Sequence, residues 1–408
     1  MRGSGRGRSH DFFSGNSSTK RSQKTETSSS ETRTRDAAVP KPSMLLSRPR
    51  EEEKGPAVAI ASRSEAESRE RQRVQQAPKV LPSHREGPTE REMFDSRRLI
   101  NDGMMFEETI MEYLTENPHF TVTAAIGPQT VGKSTILSML AGNNPQDKYR
   151  YYVFRPASRE AVESSRYQTT KIHVYVSKSR GIFLDCQGTN SSSIVEDSYR
   201  HSRKSDERSE TTAYVECLQL VSFLLQVSTT ILVCSDYTVD MELVKILRTA
   251  EMLRANLNHV SNLPQLNFTR KTNIVFVHVR ANSVDFAYEV RKDRIQLIRR
   301  LFADSLRLRV SENNDSVLFL LSVLKPRKDV ASQLHSHHHQ KERSLEAEEV
   351  EKFEVGIRKI RFQLAAMPQD PFSEQLFTEK HWLLLARYIW KEAAFTSSIE
   401  KLASYFGG

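Results

Sequence analysis

Gly127-Pro128-Gln129-Thr130-Val131-Gly132-Lys133-Ser134 fits the pattern Gly-x-x-x-x-Gly-Lys-[Ser/Thr] at every fixed position. Upstream, residues 120–126 (Phe-Thr-Val-Thr-Ala-Ala-Ile) have the composition of a buried strand. Downstream, residues 135–141 continue as a helix that stops at Gly142. A strand, a glycine-bearing turn and a helix start together aim backbone N–H groups and the positive helix end at one spot. That is where the phosphates of a nucleotide bind. The residues expected to hold phosphate are therefore Gly127, Pro128, Gln129, Thr130, Val131, Gly132, Lys133, Ser134 and Thr135. Lys133 would reach the β- and γ-phosphates, and the Ser134 hydroxyl would ligate Mg²⁺.

A phosphate loop needs a second carboxylate for the metal. The apolar stretch Gly181-Ile182-Phe183-Leu184 ends in Asp185-Cys186-Gln187-Gly188. Asp185 would stand beside the phosphate loop at the carboxyl edge of the sheet, and the N–H of Gly188 would approach a third phosphate. Between the two motifs lies Tyr167-Gln168-Thr169-Thr170-Lys171. A G domain places there the threonine that closes over Mg²⁺ and the γ-phosphate. Thr169 and Thr170 both qualify.

Strand-like runs fall at 120–126, 171–176, 181–185, 229–235, 273–279 and 316–321. Helical patterns fall at 133–141, 211–227, 239–256, 285–305, 346–364 and 379–405. Alternation of this kind predicts an α/β fold with a mostly parallel sheet and helices on both faces. The link 177–180 is too short for a parallel crossover, so it predicts one antiparallel hairpin strand. A phosphate loop followed by such a strand is the arrangement of a Ras-like P-loop G domain, here with extra C-terminal helices.

Composition divides the chain into a tail, 1–92, and a folded part, 93–408. The tail has only two aromatics, Phe12 and Phe13, and 19 Lys/Arg against 13 Asp/Glu, a net +6 of the chain's formal +9. A segment that poor in apolar surface cannot offset its ordering entropy and is predicted to be disordered. Its charges are mixed and not interleaved with aromatics, which predicts weak direct contact with RNA at most. Cys186, Cys217 and Cys234 read as buried thiols of a reducing compartment. No apolar segment has the length and purity of a membrane span or signal sequence, so a soluble, cytoplasmic protein is expected. Residues 188–210 and 327–343 are expected as mobile loops. The second holds His335, His337, His338 and His339 without a carboxylate or Cys at metal-binding spacing, and reads as a solvated linker.

Two expected parts are missing. After the strand 273–279 the sequence runs Arg280-Ala281-Asn282, without the Asn-Lys-x-Asp whose Asp reads guanine. This leaves Mg²⁺ with GTP/GDP or ATP open, and Asp285 as the nearest substitute reader. The residue after Gly188 is Thr189, where many G proteins place the Gln that orients water. Little or no intrinsic hydrolysis is expected.

The chain resembles the SMG-nine type of nonsense-mediated mRNA decay factor, the G-domain subunit of the decay kinase complex. The phosphate loop, Gln168-Thr169-Thr170, Phe183-Leu184-Asp185-Cys186-Gln187, and a C-terminal helix opening Phe377-Thr378-Glu379-Lys380-His381-Trp382 and continuing through Tyr388-Ile389-Trp390 carry the likeness. It covers roughly residues 93–408. The resemblance implies a nucleotide-binding regulatory subunit that forms a heterodimer with a larger sister subunit and binds a phosphatidylinositol-kinase-like kinase. The large apolar residues of 379–405, including Trp382, Leu383, Leu384, Ile389, Trp390, Phe395, Ile399 and Leu402, exceed one face of an exposed helix; packing on the chain's own sheet is expected to take part of them, and with the family likeness a partner the rest. Two other classes share part of the pattern. One is a dynamin- or atlastin-like GTPase. The other is a pseudo-GTPase scaffold that binds no nucleotide.

Overall fold

The runs Thr230–Ser235 and Thr272–Val279 are buried at every position, not at alternate ones. Strands covered on both faces are parallel strands between helical layers. The computed structural model describes residues 91–394 except 202–207, 238, 254, 256, 258–259 and 325–350. Its strands are β1 (Arg97–Ile100), β2 (Thr121–Ile126), β3 (Ile172–Val176), β4 (Gly181–Cys186), β5 (Thr230–Ser235), β6 (Thr272–Val279), β7 (Leu308–Val310) and β8 (Leu318–Leu321). They form one sheet in the order β1-β3-β4-β2-β5-β6-β7, with β8 pairing the other half of the β6 edge.

β3 is antiparallel to both neighbours, β1 and β4, and every other pairing is parallel. It is therefore the one strand that runs against the rest, as the short 177–180 link requires. The chain moves from β2 outward to β4 on one side and returns to β5 on the other. The order reverses at β2, and in open α/β sheets ligands bind at the carboxyl edge beside such a point.

The helices are α1 (Lys133–Ala141), α2 (Arg159–Glu163), α3 (Ser192–His201), α4 (Arg208–Val227), α5 (Met241–Met252), α6 (Tyr288–Leu301), α7 (Phe353–Ala366) and α8 (Glu379–Ala394). Among the described residues no helix is long and apolar enough to cross a membrane.

The structure corrects three expectations. The polar stretch expected as a mobile loop, 188–210, contains α3 over Ser192–His201. Ser191, just before its first residue, is of the type favoured at a helix start, which loop-like composition conceals. β1 and β7 are short strands whose charged residues hide their pattern. The apolar surface of α8 does not await a partner. Trp382, Leu383, Leu385, Ile389 and Trp390 are buried within this chain, Trp382 Nε1 donates to Val227 O at 2.8 Å, and the Trp390 ring meets Phe223 edge-on at 5.4 Å. The helix packs on α4, so the partner argument drawn from its apolar residues does not hold over Glu379–Ala394. Phe395, Ile399, Leu402 and the His cluster 335–339 lie outside the described residues.

Candidate nucleotide site

β2 delivers the phosphate loop to the centre of the carboxyl edge. Ala125 is in register with Asp185 on one side and Leu232 on the other. Gly127 takes φ +146°, and a Cβ there would fall 2.0 Å from the carbonyl oxygen of Cys234. Only glycine fits. α1 then starts at Lys133 with Gly132 as its cap and no side chain satisfying its first N–H groups, which leaves those donors facing the loop.

Lys133 is buried, and its Nζ donates to the carbonyls of Gly127 at 3.0 Å and Pro128 at 2.9 Å. An ammonium has three donors, so one remains for a phosphate. Burial pushes its pKa down, while Asp185 opposes that shift. Gln129, Thr130, Gly132, Lys133, Ser134, Thr135 and Gly188 line a cavity of about 150 Å³, and residues 166–169 line it from the neighbouring segment. Val131 is 2 % exposed and anchors the loop in the core.

Beside it, three side chains from three elements converge. The Ser134 hydroxyl donates to Asp185 Oδ2 at 2.7 Å, Thr169 Oγ1 donates to the same oxygen at 3.1 Å, and the two hydroxyls lie 3.2 Å apart. No bond from Thr170 joins this cluster. Asp185 is 1 % exposed, and its other oxygen, Oδ1, is buried without a hydrogen-bond partner. Burial raises its pKa, against Lys133, Ser134 and Thr169, which favour the anion. A buried carboxylate oxygen left unmatched beside two hydroxyls fits a hard cation that takes oxygen ligands and completes its shell with phosphate and water, as Mg²⁺ does. Among the described residues there is no His, Cys, Asp and Glu cluster of the kind that holds a softer metal.

The segment after Asp185 folds back on the loop. A Cβ on Gly188 would lie 2.8 Å from the backbone N of Gln129, and Thr189 N donates to Gly127 O at 3.0 Å. Thr189 itself is buried. Gln187 accepts from the Lys171 N–H at 3.0 Å through its side chain and donates its own N–H to Lys171 O at 2.8 Å. Lys171 in turn pairs with Glu216 of α4. Sequence reading missed Gln129 and Gln187 as fastenings, because a carboxamide in a motif's variable position carries no pattern of its own.

At the edge where a base would be read, Arg280 pairs with Asp236. Asp285, the carboxylate considered as a reader, is engaged at both oxygens. Oδ1 accepts from Arg294 at 2.7 Å and Oδ2 from the Asn282 N–H at 2.7 Å. It closes a capping box on a short 3₁₀ turn.

No family model matches the chain. Curated relatives do, among them two from nematodes. The nonsense-mediated mRNA decay factor SMG9 of Caenorhabditis briggsae is 38% identical over 304 residues, covering 74% of this chain and 76% of the relative. That of Caenorhabditis elegans is 38% identical over 317 residues, covering 77% and 79%. Among solved structures, Era of Aquifex aeolicus bound to GDP·AlF4⁻ aligns with 49% of this chain and 51% of its own at 16% identity and TM-score 0.26. The fold assignment rests on strand order and direction, not on that overlap.

Proposed function

The chain belongs to the family of the nonsense-mediated mRNA decay factor SMG9, and from that premise we propose that it is a nucleotide-binding regulatory subunit acting in nonsense-mediated mRNA decay. The observation that carries the nucleotide reading is the unmatched Oδ1 of Asp185, buried beside the Ser134 and Thr169 hydroxyls and next to Lys133. Ser134, Thr169 and Asp185 would hold Mg²⁺, and the metal would neutralise charge on the phosphates. The backbone of Gly127 to Thr135 and Gly188 would enclose those phosphates, with Lys133 supplying its third donor.

The ligand is GTP/GDP or ATP with weak discrimination, since Asp285 and Arg280 are both engaged with protein groups. Thr189 is not a water-orienting residue, which supports little or no hydrolysis by the chain alone. Nucleotide then acts as a structural ligand. It stabilises the folded form by roughly 2.7 kcal/mol at a hundredfold excess over its dissociation constant. The partners, a larger sister subunit and a phosphatidylinositol-kinase-like kinase, rest on the family likeness and not on α8.

Calorimetric titration of Mg²⁺–GTP and Mg²⁺–ATP into the purified chain tests the ligand. Saturable binding is expected; none for either nucleotide would leave the scaffold reading. Light scattering with and without the sister subunit tests the pairing. A monomer that ignores the sister protein would refute it.

A further inference from the structure

The third residue of the phosphate loop makes contacts that no phosphate needs. Gln129 Nε2 donates to the carbonyl of Arg166 at 3.1 Å, three residues before Thr169. Its Oε1 accepts from the hydroxyls of Ser191 and Ser193, at the start of α3. Both serines are buried, and their hydroxyls lie 2.9 Å apart. One carboxamide thus ties together the two segments that flank the site. A second tie joins the same segments directly, from the Tyr167 hydroxyl to Asp197 Oδ2 at 2.6 Å. Gly188 packs on the Gln129 backbone so closely that a methyl group would not fit.

We propose that the Gln129 carboxamide is a latch that fastens both flanking segments over the phosphate site and sets the rate at which nucleotide enters and leaves. The inference rests on the nucleotide reading above and adds a positioning residue to it. All of the tying bonds run between protein groups. They therefore stabilise the closed site whether or not a ligand is inside. Removing them lowers the cost of opening in both cases, so entry and exit accelerate together and affinity changes little. A residue that touched the ligand would instead change exit and affinity in step. Losing two or three hydrogen bonds accelerates opening by about tenfold to a hundredfold.

The experiment uses the full chain loaded with Mg²⁺ and a fluorescent N-methylanthraniloyl derivative of GDP or ADP, chased with unlabelled nucleotide. Gln129→Ala is expected to raise both koff and kon by about tenfold or more, with Kd within about threefold of wild type. Tyr167→Phe, which cuts only the second tie, is expected to raise both rates by less. Unchanged rates in Gln129→Ala overturn the latch. So does a rise in koff with kon unchanged, which would make Gln129 a ligand contact. Hydrogen exchange of residues 166–169 and 191–197 in the free chain separates the two readings. A wild-type chain that binds neither probe overturns the nucleotide reading and the exchange-rate role with it. Loss of protection in Gln129→Ala would then still support the tie itself, and unchanged protection would refute it.

Discussion

The hydroxyl of Thr169 donates to Oδ2 of Asp185 at 3.1 Å, and the oxygen it leaves, Oδ1, has no partner. Sixteen residues separate the two in the chain. The hairpin between β3 and β4 is what brings them together, since β3 starts just after Thr169 and β4 carries Asp185 near its end. A carboxylate half-satisfied by hydroxyls in a buried position is costly unless something meets its second oxygen.

Asp185→Asn keeps the shape and removes the charge. We expect the Mg²⁺ dependence of nucleotide affinity to fall from about tenfold or more in wild type to near unity in the variant, measured by calorimetry with and without EDTA. Thr169→Val should weaken Mg²⁺–nucleotide binding, and Thr170→Val should not. Equal effects at the two threonines would remove Thr169 from the site.

Lys133→Ala removes the ammonium proposed to face the phosphates. Affinity should drop by about a hundredfold, or ~3 kcal/mol for a lost charge-assisted contact. Equal affinity of wild type and variant would mean that the loop does not hold phosphate.

The purine should be read loosely. Both oxygens of Asp285 are taken by Arg294 and Asn282, so it is not free to accept from guanine. GTP and ATP affinities are expected to differ by less than about a hundredfold, or ~2.7 kcal/mol. A larger preference, seen in parallel titrations, would require a reader outside these residues.

Acidification should destabilise the fold. Burial holds His278 below the ordinary histidine range, with Asp285 pulling upward and Arg294 downward. Burial holds His173 down as well. The unfolded chain takes up these protons near pH ~6.5 and the folded chain only at lower pH, so stability is full above ~6.5 and is lost as pH falls below it. The slope is at most ~1.4 kcal/mol per pH unit for each histidine. The urea midpoint should be lower at about pH 5.5 than at about pH 7.5, and His278→Gln should flatten that difference. A variant with the wild-type slope would exclude His278 as a source.

The C-terminal helix is held by a buried ion pair. Glu379 is fully buried, pairs with Arg180 and accepts from the Thr115 N–H at 2.8 Å. Glu379→Ala would take the carboxylate from the Arg180 guanidinium, which also donates to Tyr113 O at 3.1 Å, and should cost about 3–5 kcal/mol. Chemical unfolding of the two chains measures it, and a loss under about 1 kcal/mol would place the pair among solvated ones.

The sequence alone determined the sheet class, the phosphate loop, the hairpin and Asp185, because each is written in local chemistry. Gly127 and Gly132 answer to backbone angles, the 177–180 link is too short for a crossover, and buried parallel strands must be apolar throughout. The helix Lys133–Ala141 is legible to the residue for the same reason, with a glycine at each end. Tertiary structure decided what depends on which distant groups meet. It brought Thr169 and not Thr170 onto Asp185, spent both oxygens of Asp285 on a cap, and turned Gln129 into a tie between two segments. It also laid the apolar face of α8 on α4, where sequence reading had divided it between the chain's own sheet and a partner. An amphipathic face shows that burial is required but not what buries it, and a single hydroxyl or carboxamide has no period by which its partner can be read.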